Sequence, residues 1–243
     1  MKKLIKSFPL RFAFTVLFIL LAYSCKKGND EPLPVKDGDG NIYTTVTIGT
    51  MEWLDENLKT TRYNDGSSIP LVSDNSEWLA LATPGYCWYN NDEAANKEVY
   101  GALYNWFAVN TGKLCPAGWR VASDNDWKEL ELTLGMSQAD VDDIYYRGTN
   151  EGSRLAGNAS LWVNGALESD PAFGNSGFGA LPGGFRVSQG MYLNAGNFVD
   201  WWTSTEDDDT HAWYRGIWFN SSSIYRDGGS SKKTGFAVRC VKN

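Results

Sequence analysis

Four cysteines, at positions 25, 87, 115 and 240, constrain this chain more than any other feature, because its first residues read as an export signal. Lys2, Lys3, Lys6 and Arg11 make a basic start without an acid. Phe12 to Tyr23 is apolar apart from Thr15, and the small Ser24 precedes Cys25. Basic start, short apolar run and small exit residues make a bacterial secretion signal over residues 1–24. The apolar run is well short of the ~20 residues a membrane-crossing helix needs. An exported chain folds where thiols oxidise, so paired cysteines are expected.

Leu21-Ala22-Tyr23-Ser24-Cys25 resembles a lipobox, with Ala22 where leucine is usual and a bulky Tyr23. The reading is that Cys25 is acylated and becomes the mature N-terminus, which anchors the chain without a transmembrane helix. That implies lipid anchoring in the cell envelope, at the outer membrane. Removal of residues 1–24 takes four positive charges away, so the formal charge moves from −7 to −11. A chain this acidic repels phosphate backbones, which argues against nucleic acid as a partner. Residues 25–40 read as a flexible tether, rich in Gly, Pro and charge. "DGDGN" (Asp37–Asn41) has the look of a calcium loop, but the acid expected at the twelfth position is Ile48. A tight turn is the better reading.

Residues 41–243 read as one domain. Ile42–Ile48 is almost entirely β-branched or aromatic and predicts a strand. Val99, Leu103, Trp106 and Phe107 share a helical spacing, which predicts one helix over Val99–Val109. Ser123 with Asp126, and Ser137 with Asp140, are capping pairs that open two further helices. Residues 148–197 are rich in Gly, Asn and Ser and read as long loops. "FVDWWTSTE", "HAWYRGIWF", "SSIYRD" and "TGFAVRCVK" are strand-forming. Helices followed by a run of antiparallel strands make the class α+β.

If Cys25 is acylated, Cys87, Cys115 and Cys240 leave one bridge and one odd thiol. If it is not, four cysteines allow three connectivities. Phe236, Val238 and Cys240 alternate onto one strand face, taken as the core face because Arg239 lies on the other. Five stretches carry a resemblance: "YTTVTIGTMEWLDENLKTTRYNDGSSIP", "YCWYNNDEAANKEVYGALYNWFAVNTGKLCPAGWRVASDNDWKEL", "SGFGALPGGFR", "WWTSTE" and "GFAVRCVKN". Their content and order resemble the Fibrobacter succinogenes major paralogous domain family. The resemblance implies a C-type lectin-like fold: two or three helices packed on a twisted antiparallel sheet with a long loop region. It also implies the signature bridge from first helix to final strand, here Cys115–Cys240. It supplies no biochemical activity.

His211 is the single histidine, and there is no GxSxG elbow, GxGxxG or Walker loop. Zinc needs more His and closely spaced Cys than this chain has. Glu206–Asp209 could hold calcium through oxygen ligands but reads as a solvated acidic loop, so no cofactor is expected. The reading is a non-catalytic binding or adhesion module for extracellular glycan or protein. Its competitor is a copper-dependent thiol oxidase related to formylglycine-generating enzymes, which share the lectin-like core and need two poised cysteines. In such a fold the loop region and adjoining strand ends face the ligand. Trp162, Asn175, Tyr192, Asn194 and Asn197, together with Asn158 and Asn164, are the loop candidates. Trp202, Glu206, Asp208, Trp213 and Arg215 continue the surface from the neighbouring hairpin. Trp201 and Trp202 point to opposite faces, so at most one is expected in the core.

Overall fold

The computed structural model describes residues 34–243. The signal segment 1–24, Cys25 and the tether up to residue 33 lie outside those residues. Within them, the chain opens on a hairpin of β1 (Val35–Lys36) and β2 (Ile42–Tyr43). Its turn is the Asp37–Asn41 stretch. Asp37 closes it by accepting the amides of Asp39 and Asn41 at 3.0 Å each and the Tyr43 hydroxyl at 2.6 Å. The folded unit thus reaches back to Val35. A second hairpin, β3 (Thr45–Ile48) and β4 (Met51–Leu54), turns at Gly49, whose φ of 64° suits glycine.

Then come α1 (Asn75–Ala80), β5 (Tyr86–Cys87), α2 (Glu93–Tyr100), β6 (Leu103–Tyr104) and α3 (Trp106–Val109). This corrects the expectation of one helix over Val99–Val109. Gly101 has φ 76° and ends α2. A Cβ there would meet the Leu58 carbonyl at 2.7 Å. Asn105 then starts α3 afresh by accepting the Ala108 amide. The helical spacing of apolar residues came from a helix, a strand and a second helix in succession.

β7 (Trp119–Val121) leads through Ser123 into α4 (Asp124–Thr133). The expected cap is complete: the Ser123 hydroxyl accepts the Asp126 amide at 3.2 Å, and Asp126 accepts the Ser123 amide at 2.7 Å. Ser137 caps α5 (Gln138–Asp142) through the Asp140 amide. β8 (Tyr145–Arg147), α6 (Glu151–Leu155) and α7 (Ala166–Ser169) follow. Loops then carry the short pair β9 (Phe185–Arg186) and β10 (Tyr192–Leu193). Last come β11 (Phe198–Glu206), β12 (His211–Trp218), β13 (Ile224–Ser231) and β14 (Cys240–Lys242). Two four-stranded antiparallel sheets, β11-β12-β13-β8 and β3-β4-β14-β7, set the frame. The architecture is α+β.

Apolar clusters cover both faces of β11. Trp202 packs with Phe236, Tyr104 and Trp106 on one side, and Trp201 with Trp53, Trp127 and Phe178 on the other. The expectation that at most one of the two tryptophans is core is therefore corrected: both are fully buried. Arg239 corrects the companion reading of the last strand. Its guanidinium is buried and donates to Asn57 Oδ1 and to the carbonyls of Leu54 and Phe178, so no face there is solvated. Cys115 and Cys240 are joined by a disulfide across 125 residues of sequence. Constraining so long a loop in the unfolded chain is worth up to about 5 kcal/mol. Among the described residues, Cys87 is a buried free thiol in a separate cluster with Val72, Trp78 and Leu103.

Candidate functional site

One cross-strand row runs Asp200, Gly216, Tyr225, Tyr146 across β11, β12, β13 and β8. Strand alternation sends their neighbours Val199, Trp201, Arg215 and Ile217 to the opposite face. Gly216 makes the row possible. A Cβ there would collide with Asp200 Oδ1, so the missing side chain is the space that the carboxyl fills.

At the Asp200 end of this row lies a cleft of about 450 Å³, a size typical of small-molecule sites. Phe185, Phe198, Tyr214, Trp218 and Phe236 wall it, Asp200 lies at its base, and Asn194, Gln189 and Ser230 are among its polar lining groups. The rings brace one another. Trp218 stacks on Tyr225 at 4.9 Å and meets Tyr146 and Phe198 at 4.7 Å each, while Tyr214 meets Phe236 at 5.0 Å. Such mutual contact holds the walls in place before any ligand arrives.

Asp200 is only 4% exposed, and among the described residues neither its Oδ1 nor Trp218 Nε1 has a hydrogen-bond partner. Burial pushes the Asp200 carboxyl up to about 7, with the Trp218 N–H pulling the other way. That N–H is near enough to favour the charged form, yet its geometry misses a hydrogen bond. A buried acceptor left unmade costs about 1–3 kcal/mol, and among the described residues Asp200 is the one carboxyl so placed. Among the described residues, no lysine, arginine or histidine lines the cleft.

Of the residues singled out from sequence, Asn194 alone lines this cleft, in the left-handed region at φ 67°. Tyr192 lies close by in chain but donates to Asn91 and lies against the Arg186 guanidinium. Asn197 is half-buried and accepts the Phe219 amide through its carbonyl. Asn158, Asn164 and Asn175 are exposed elsewhere, Asn175 accepting from Arg154. Trp162, Trp202 and Arg215 are corrections. Trp162 is buried in the Trp201 cluster and donates to the Gly157 carbonyl. Trp202 is sealed in the other cluster and donates to the Tyr104 carbonyl. Arg215 is fully buried against Glu131 and Asp124, and Trp213 lies 3.9 Å beneath the Arg226 guanidinium. Trp162, Trp202 and Arg215 thus have their contacts inside the protein, while Trp213 is half-buried. Glu206 is paired with Lys232, and Asp208 accepts the amides of Thr210 and His211 within its own turn. Among the described residues, no group of three or more His, Cys, Asp or Glu is placed to hold a metal ion.

Asp200, Trp218 and Phe236 were missed, although "FVDWWT" held a signal. An acid at an alternation position shared with Phe198 and Trp202 must point where those rings point.

An antiparallel α+β domain with an aromatic, acid-based cleft is thus the class to which the molecule belongs. The chain matches the family described as the Fibrobacter succinogenes major domain over residues 46–242, and it belongs to that family. Comparison with curated proteins and with solved structures finds no match.

Proposed function

We propose that this chain is a lipid-anchored envelope protein that displays a non-catalytic binding module for extracellular glycan or protein on a C-type lectin-like frame. The observation that carries the reading is the preformed aromatic cleft with its unpartnered, buried Asp200. The bridge Cys115–Cys240, from the loop between α3 and β7 to the last strand, supports the lectin-like frame. The Cys25 motif supports the anchor, and no helix among the described residues is long and apolar enough to cross a membrane. An oxidase would need two thiols poised together. Here two cysteines are spent in the bridge, and burial pushes the Cys87 thiol up to about 11, away from the reactive thiolate.

The purified chain, screened against glycans and envelope proteins with and without EDTA, should bind in both conditions. A copper-dependent thiol-oxidation assay run beside it should stay silent. Copper-dependent turnover abolished by Cys240→Ser would overturn the reading. Fatty-acid labelling should mark the wild type and not Cys25→Ser, and equal labelling of both would refute the anchor.

A further inference from the structure

We infer that the cleft takes a neutral glycan, with sugar hydroxyls on Asp200 and the Trp218 N–H and the sugar's C–H faces against Phe185, Phe198 and Phe236; this rests on the binding-module reading above. Asp200 Oδ1 is an acceptor and Trp218 Nε1–H a donor, both buried and both unpartnered among the described residues. They stand side by side: a Cβ on Gly216 would touch Oδ1 and lie 3.3 Å from Nε1. A hydroxyl donates and accepts at once and satisfies both. An ammonium only donates, so it would leave the indole N–H facing a positive charge. An anion fails on the other count, since among the described residues the lining holds a carboxyl and no cation, on a chain of formal charge −7. The rest of the polar lining is uncharged: Ser188, Gln189, Asn194, Ser230, Ser231 and Thr234. Hydroxyls and amides beside aromatic walls suit a polyhydroxylated ring with apolar faces.

The test titrates the full chain with maltohexaose, cellohexaose, xylohexaose and mannohexaose, beside tetramethylammonium and polygalacturonate. It follows the indole N–H resonance of Trp218, assigned through Trp218→Phe, and measures affinity by calorimetry. At least one neutral hexasaccharide should move that resonance. Asp200→Leu and Trp218→Phe should each weaken its binding roughly ten- to a hundredfold, the loss of one hydrogen bond to a buried polar group. Asn194→Ala, at the rim and outside the packed walls, should cost a smaller loss and covers the case of a core variant that does not fold. Saturation of the cleft by tetramethylammonium or polygalacturonate in preference to the sugars would overturn the inference. So would sugar binding that leaves Trp218 unmoved, or silence from all four sugars. If the chain then still captures envelope proteins, the module reading survives the loss of the glycan. If no ligand of any class binds in the wider screen, the module reading falls too.

Discussion

The two faces of the β11-β12-β13-β8 sheet bury charge in opposite ways. On the face toward α4, Arg147, Arg215 and Arg226 meet Glu131 and Asp124, and each of the four carboxylate oxygens carries an arginine. Burial alone would raise the Asp124 carboxyl, but Arg226 and Arg215 outweigh it and hold it at about 2. On the other face Asp200 is buried as deeply, has no cation, and is pushed up to about 7. Depth of burial is similar; satisfaction is not. The first arrangement locks a helix to a sheet, whereas the second leaves a buried acceptor without a partner, among the described residues, at a residue that lines a cleft.

Breaking the locked face should have the largest effect. Glu131→Gln leaves Arg147 and Arg215 short of a buried counter-charge and should cost about 3–5 kcal/mol in urea unfolding. A loss under 1 kcal/mol would mean that the network is solvated.

Next comes Asp200, where the sign reverses. In the fold its carboxyl holds a proton to about pH 7, but in the unfolded chain only to its ordinary 3.8. Between those values the unfolded chain releases the proton and the fold keeps it. Stability therefore falls as pH rises, by up to about 4 kcal/mol. Its ionisable neighbours Tyr146, Tyr214 and Tyr225 are all raised above the usual tyrosine range, chiefly by burial, and stay neutral throughout. Asp200→Asn should unfold like the wild type at pH 4 and prove more stable at pH 8. A difference independent of pH would refute the raised proton affinity.

Gly216→Ala sharpens the comparison within one row. The methyl meets the Asp200 carboxyl and should cost about 1–3 kcal/mol, most of it recovered when Asp200 is also alanine. Additive losses in that cycle would show that the glycine serves something else. The smallest effect lies at the gate to the locked face. Ser123→Ala removes the cap that delivers Asp124 to its arginines and should cost about 1 kcal/mol in thermal melts, with the cleft's ligand affinity unchanged.

Local signals were legible in the sequence and two-sided burial was not. Ser123 and Ser137 cap helices as read, because a cap is settled within four residues. The apolar spacing over Val99–Val109 does not carry the break at Gly101, whose φ of 76° ends a helix whatever the spacing around it. Trp202 and Arg239 were assigned by assuming one wet face per strand, an assumption that fails where apolar clusters sit on both sides. Arg215 read as a surface cation because its partners, Asp124 and Glu131, lie more than eighty residues away in sequence. The cleft escaped notice for the same reason: its walls come from β9, β11, β12 and the stretch before β14, and only their registers bring them together.

The pairing of β14 between β4 and β7 also sets a timetable. Val241 pairs opposite Trp53, so the β3–β4 hairpin waits for a strand far downstream in the chain. Until that strand arrives, β4 has an unpaired edge that neighbouring chains can seize. A stop upstream of Val238 leaves this sheet without its middle strand and Cys115 without its bonding partner. A chain cut before β14 is thereby marked by an open edge and an unpaired thiol.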